Sequence, residues 1–64
     1  MVHHKDDTYM LQVLDGGVWR DVTWVTMRQA SRAARENTKR TGKSHRVMNT
    51  TRKDYVFVEA VPVI

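Results

Sequence analysis

The sequence predicts an α+β domain: a small antiparallel sheet in the order β-β-α-β-β, with one helix packed on one face. Three observations predict it. Two segments of alternating character flank Asp15-Gly16-Gly17, where glycine admits the positive φ of a tight hairpin. Residues 27–41 contain no Pro or Gly and follow a capping-box pattern at Thr26 and Gln29. Two more alternating segments then complete the chain around a polar turn at residues 51–54.

Taken in order, residues 1–8 are polar and aperiodic, and read as a flexible N-terminal tail ahead of a single domain at 9–64. Residues 9–14 read as a strand with Tyr9, Leu11 and Val13 on one side and Met10, Gln12 and Leu14 on the other. Residues 18–25 form the return strand. Strict alternation puts Trp19, Asp21, Thr23 and Val25 on one face and Val18, Arg20, Val22 and Trp24 on the other, so both faces are mixed. The helix at 27–41 carries three alanines, with Val25 and Ala30 at staple positions and Gly42 just past its end. Lys39 and Arg40 meet the negative end of the helix dipole. At about 100° per residue, Met27, Ala30, Ala34, Asn37 and Thr41 fall on an inward side, while Arg28, Arg32, Arg35 and Lys39 form a narrow outward stripe. Residues 44–50 read as a third strand, with Val47 and Asn49 opposite Arg46, Met48 and Thr50. Residues 55–61 are apolar on both sides (Tyr55, Phe57 and Val61 against Val56, Val58 and Ala60), which suits a central strand, and Pro62 should end its pairing.

A helix covers one face of such a sheet and leaves the other open. Trp19 or Trp24, with Tyr55 or Phe57, would then form an exposed aromatic patch. The base rate for tryptophan instead places both indoles in the core.

Composition narrows the function classes. A chain of 64 residues is one domain, able to bury roughly 60% of its unfolded surface. It has no cysteine, which excludes disulfides and thiol chemistry. No apolar run approaches the roughly 20 residues of a membrane span. The polar start lacks the apolar core of a signal peptide, so the expected location is cytoplasmic, without membrane partners.

Charge is the strongest functional signal. Residues 28–53 hold Arg28, Arg32, Arg35, Lys39, Arg40, Lys43, Arg46, Arg52 and Lys53 against Glu36 alone, a surplus of +8 in a chain whose net charge is +4. These nine side chains are the candidate binding site. The helix stripe would lead, and the residues after it would widen the track. Arginine predominates, and guanidinium pairs bidentately with phosphate or carboxylate.

Catalytic and metal sites are not expected. His3 and His4 are adjacent and lack the spacing of a closed metal site. Ser44 and His45 would point to opposite faces of a strand, so they cannot form a nucleophile–base pair, and His45 reads as an exposed strand-start residue. Gly16-Gly17 lacks the glycine spacing and following helix of a phosphate loop. The expectation is a non-enzymatic protein with no catalytic residues, metal or cofactor.

The strand–Asp-Gly-Gly–strand opening, the Trp19-Arg20-Asp21-Val22 segment and the capped Arg/Ala helix followed by strands resemble small accessory proteins encoded by bacteriophages. In layout, over residues 9–61, the chain is similar to short phage inhibitors of bacterial RNA polymerase. That resemblance implies a small protein that binds and modulates or inhibits host machinery in the bacterial cytoplasm. The strong basic helix departs from a simple acidic nucleic-acid mimic. The expected partner is a host protein with an acidic surface, such as a nucleic-acid-processing enzyme. The alternative is a nucleic-acid-binding module using the same cations on phosphates. A third possibility is an assembly component whose open sheet face pairs with a copy of itself, and an unpaired edge strand could also add to a partner's sheet.

Overall fold

A computed structural model describes residues 8–61. Residues 1–7 of the expected 1–8 tail, and Pro62, lie outside the described residues; Thr8 is described and, against the expectation of a loose tail, is hydrogen-bonded to Thr50. Four strands, β1 (Tyr9–Asp15), β2 (Val18–Val25), β3 (His45–Asn49) and β4 (Asp54–Glu59), form one antiparallel sheet in the order β2-β1-β3-β4. One helix, α1 (Ala30–Thr41), packs on β3, β4 and β1. The architecture is the α+β arrangement that the sequence predicts. No helix among the described residues is long and apolar enough to cross a membrane.

Local chemistry sets the helix boundaries. The Thr26 hydroxyl accepts from the Gln29 amide at 3.2 Å, and the Thr26 amide donates to Gln29 Oε1 at 3.3 Å. These reciprocal bonds satisfy two amides that the first turn leaves without partners. They close a 3₁₀ turn over Met27–Gln29 before the α-helix begins. At the far end Gly42 takes φ of 74°, and its amide bonds back to the Thr38 carbonyl at 2.8 Å.

The core lies between α1 and the two central strands. Leu11 and Val47 are paired across β1 and β3, and they meet Ala30 and Ala34. All four are buried, Ala34 and Val47 completely. Alanine lets the helix axis come close to the sheet, because no longer side chain holds it off. The inward side is centred on Ala30, Ala34 and Thr38, with Ala33 and Asn37 at its margins. This corrects the helical wheel at both ends. Met27 sits in the 3₁₀ turn, off the α-helical phase, and is exposed. Thr41 is also exposed, and its hydroxyl instead donates to the Asn37 carbonyl at 2.7 Å.

Three further expectations need correction. First, the most apolar strand, β4, is an edge and not a central strand. Its apolar residues serve two layers, because a register shift opposite Val47 and Met48 leaves Val56 unpaired. Val56 and Phe57 both pack on the core beneath α1, while Tyr55 and Val58 pair with Met48 and Arg46 on the other face.

Second, β2 breaks strict alternation in the same way. Thr23 pairs with Leu11 but Asp21 pairs with Gln12, so Val22 is an unpaired extra residue. Directly opposed residues share a face. Trp24 (opposite Met10) and Trp19 (opposite Leu14) therefore stand on the same side, away from the helix.

Third, His45 is buried, with only 2% of its surface exposed. Its Nδ1 lies 2.9 Å from the Lys43 carbonyl and 3.0 Å from Thr38 Oγ1. A carbonyl only accepts, so Nδ1 carries the hydrogen. These contacts tie the end of α1 to the start of β3.

Buried Asn49 has an equivalent role at the opposite end. Its Oδ1 accepts from the amides of Thr51 (3.0 Å) and Arg52 (3.1 Å), shaping the turn into β4 in which Lys53 has φ of 61°. Thr8 joins the same corner. Its carbonyl accepts from the Thr50 amide at 2.9 Å, and its hydroxyl bonds that of Thr50.

Candidate functional site

The nine cationic residues are contiguous in sequence but occupy several places in the fold. Arg28, Arg32, Arg35 and Lys39 are all exposed and follow the outward side of the 3₁₀ turn and α1. Arg32 contacts Glu36 at 3.4 Å, with both side chains well exposed, so the pair is worth at most a few tenths of a kcal/mol, about 0.3–0.5. Arg28, Arg35 and Lys39 form no ion pair among the described residues.

The remaining five do not simply widen this stripe. Arg40 donates to the Asn37 side chain on the helix itself. Lys43 reaches Asp15 at 3.2 Å, and Arg20 contacts the same carboxylate at 3.5 Å, so Asp15 offsets part of the positive charge at the hairpin end. Arg52 and Lys53 occupy the turn after β3. Asn49 and Val25 both pair with Tyr9, which puts this turn at the end of the domain where α1 begins. Arg46 lies on the opposite side of the sheet from α1. The sequence had already opposed Arg46 to Val47, and burial of Val47 under the helix sends Arg46 to the open face.

On that face Arg46 is held between two rings. Its guanidinium carbon is 4.1 Å from the Trp19 ring centroid and 4.5 Å from that of Tyr55. Its Nε donates to Gln12 Oε1 at 2.8 Å, and Gln12 Nε2 donates to Asp21 Oδ1 at 2.8 Å. A row therefore crosses all four strands. Trp24 is 60% exposed beside it, Tyr55 53% and Val58 54%. The base-rate expectation of two core tryptophans is thus overturned: α1 covers the other side of the sheet, and nothing in the described chain covers this one. The patch was legible as a possibility. Its membership was not, because strict alternation separates Trp19 from Trp24. The usable signal was the mixture on both faces of residues 18–25, which one extra residue sorts into a consistent pattern.

Among the described residues, shallow grooves lie on either side of the helix. One, of about 310 Å³, is bordered by Arg35, Thr38, Lys39, Gly42, Glu59 and Ala60. The other, of about 340 Å³, lies between α1 and β2 and includes Arg32, Glu36, Asn37 and Thr23. Among the described residues no three His, Asp or Glu side chains are grouped to hold a metal ion.

No family model, curated protein or solved structure matches this chain.

Proposed function

We propose that this chain is a non-enzymatic accessory protein of the bacteriophage type, which binds and modulates a host protein through its cationic helix face. The observation that carries this reading is the exposed line of Arg28, Arg32, Arg35 and Lys39, which the protein's own carboxylates leave almost wholly uncompensated. Unpaired guanidinium groups on a rigid helix are pre-organised to receive carboxylates, and they steer an anionic partner toward that side.

A protein surface fits this side better than a uniform phosphate backbone. Glu36 interrupts the cations, and Arg35 and Lys39 border a groove that also presents Glu59 and Ala60. That mixture of charge, carboxylate and apolar surface complements an acidic patch with apolar content, of the kind a nucleic-acid-processing enzyme carries beside its channel. The phage character rests on size and layout alone, and it puts the site of action in the bacterial cytoplasm.

The second reading is a nucleic-acid-binding module. It is favoured by the length of the stripe: the 11 steps from Arg28 to Lys39 span about 16 Å at about 1.5 Å per step, enough to follow several phosphates.

One experiment separates the two. Bacterial lysate treated with nuclease is passed over the immobilised chain and over the variant Arg32→Glu with Arg35→Glu. One stoichiometric acidic protein is expected on the native chain, bound at least about tenfold more weakly by the variant. The variant should keep the native melting temperature, because both side chains are exposed. Undiminished capture by the variant would refute the helix face as the site. Loss of all capture by nuclease, with direct duplex binding that collapses as salt rises, would select the nucleic-acid module instead.

A further inference from the structure

We infer that the open sheet face, centred on Trp24 and the Trp19–Arg46–Tyr55 row, is a dimerisation surface that takes a second copy of this chain face to face. Four observations converge on that occupant.

The first is the core. Among the described residues only Leu11 and Val47 are large side chains buried to below 2% exposure. Around them the helix contributes only alanines, Tyr9, Val25, Val56 and Phe57 pack there while only partly buried, and the chain has no cysteine for a disulfide. Domains of this size commonly obtain missing apolar burial by oligomerising. Here the largest apolar side chains stand on the uncovered face, where a copy would bury them.

The second is charge. The face contains one cation and one anion, Arg46 and Asp21, and Gln12 links them into a closed hydrogen-bonded chain. The patch is neutral within a protein of net charge +4. Two copies can meet there without opposing like charges, which no approach through the helix stripe allows. A phosphate-bearing strand, by contrast, would find a single guanidinium already stacked between two rings.

The third is the condition of the edges. Both edge strands carry a bulge, at Val22 in β2 and Val56 in β4. Bulges twist an edge and interrupt its donor–acceptor ladder, so they oppose edge-to-edge addition. The face, not the edge, is left for a second copy.

The fourth is area. Four strands about 4.8 Å apart, five to eight residues long, project to roughly 400 Å². Trp24, Tyr55 and Val58 stand up from that plane and enlarge the accessible surface. Two apposed faces therefore reach the scale of about 1,000 Å² that a specific contact needs. The product is a sheet-on-sheet sandwich with a cationic helix on each outer side. This goes beyond the helix-face reading and stands or falls separately from it.

Sedimentation equilibrium of the purified full chain, from micromolar to millimolar concentration, tests it. The expected result is a reversible shift from the 7.5 kDa chain mass to twice that value, undiminished as salt rises. Trp24→Glu should weaken the association at least about tenfold, and Val58→Glu provides the same test if Trp24→Glu unfolds. Arg32→Glu with Arg35→Glu should leave the mass shift intact, so failure of the helix-face reading leaves this result standing. A native chain that stays monomeric at millimolar concentration would overturn the inference. So would a dimer indifferent to both face variants. A monomer whose tryptophan emission is quenched stoichiometrically by a short oligothymidylate would also overturn it, and would assign the face to single-stranded nucleic acid.

Discussion

Beneath α1 the sheet presents Leu11 and Val47 to Ala30 and Ala34, and all four side chains are buried; on the opposite face Trp24, Tyr55 and Val58 are each more than half exposed. The helix seals one side of the sheet, and the most exposed large strand side chains stand on the other. The helix meets the closed side with alanines because it must approach closely to seal Leu11 and Val47, and Tyr9, Val25, Val56 and Phe57 pack around that contact. Close approach uses little apolar area per contact, so the closed side supplies packing density more than bulk. Trp24, Tyr55 and Val58 lie outside. Folding stability and the capacity for association are therefore carried by different layers of the same strands.

The sharpest way to break this contrast is to charge the closed side. Ala34→Glu places a carboxylate where exposure is zero and no cation is directed inward. A loss of about 4 kcal/mol or more is expected, read as a collapsed thermal transition. An unchanged melting temperature would mean that the alanine face is not the sealed one. Next in size is a paired truncation. Leu11→Ala should cost about 2–5 kcal/mol in a denaturant melt. Val58→Ala, also an apolar strand residue but on the open side, should cost within about 0.5 kcal/mol at concentrations too low for association. Equal losses would dissolve the distinction between the layers. The smallest effect belongs to the helix entrance. Thr26→Ala removes the hydroxyl that accepts from Gln29 and should cost about 1 kcal/mol in the same melt, without altering either face.

The elements that the sequence encodes locally are the ones that could be read from it. The hairpin glycines, the Thr26–Gln29 box and the terminal Gly42 act on their immediate neighbours, and all appear where the residues put them. The outward cationic stripe follows from helical phase once the helix is fixed. Features set by distant partners could not be read this way. Whether β4 is central or an edge depends on which strand lies beyond it, and its own apolar residues do not say. His45 is buried because Thr38, seven residues earlier, and the Lys43 carbonyl together satisfy Nδ1. In sequence order the nine cations form one track, interrupted by no acid but Glu36. Arg46 departs to the far side of the sheet by simple alternation, and Lys43 is captured by Asp15 from a hairpin 28 residues away.

Val22, without a counterpart in β1, has a consequence larger than its side chain. It acts as a half-step in the strand, inverting odd and even for everything on its hairpin side. Keeping both indoles on one surface depends on the presence of that supernumerary residue and hardly at all on its chemistry. Position 22 is free to change letter but not to disappear: shortening the chain there by one unit would turn Trp19 to the other side of the sheet and dismantle the seat of Arg46, with every other residue unaltered.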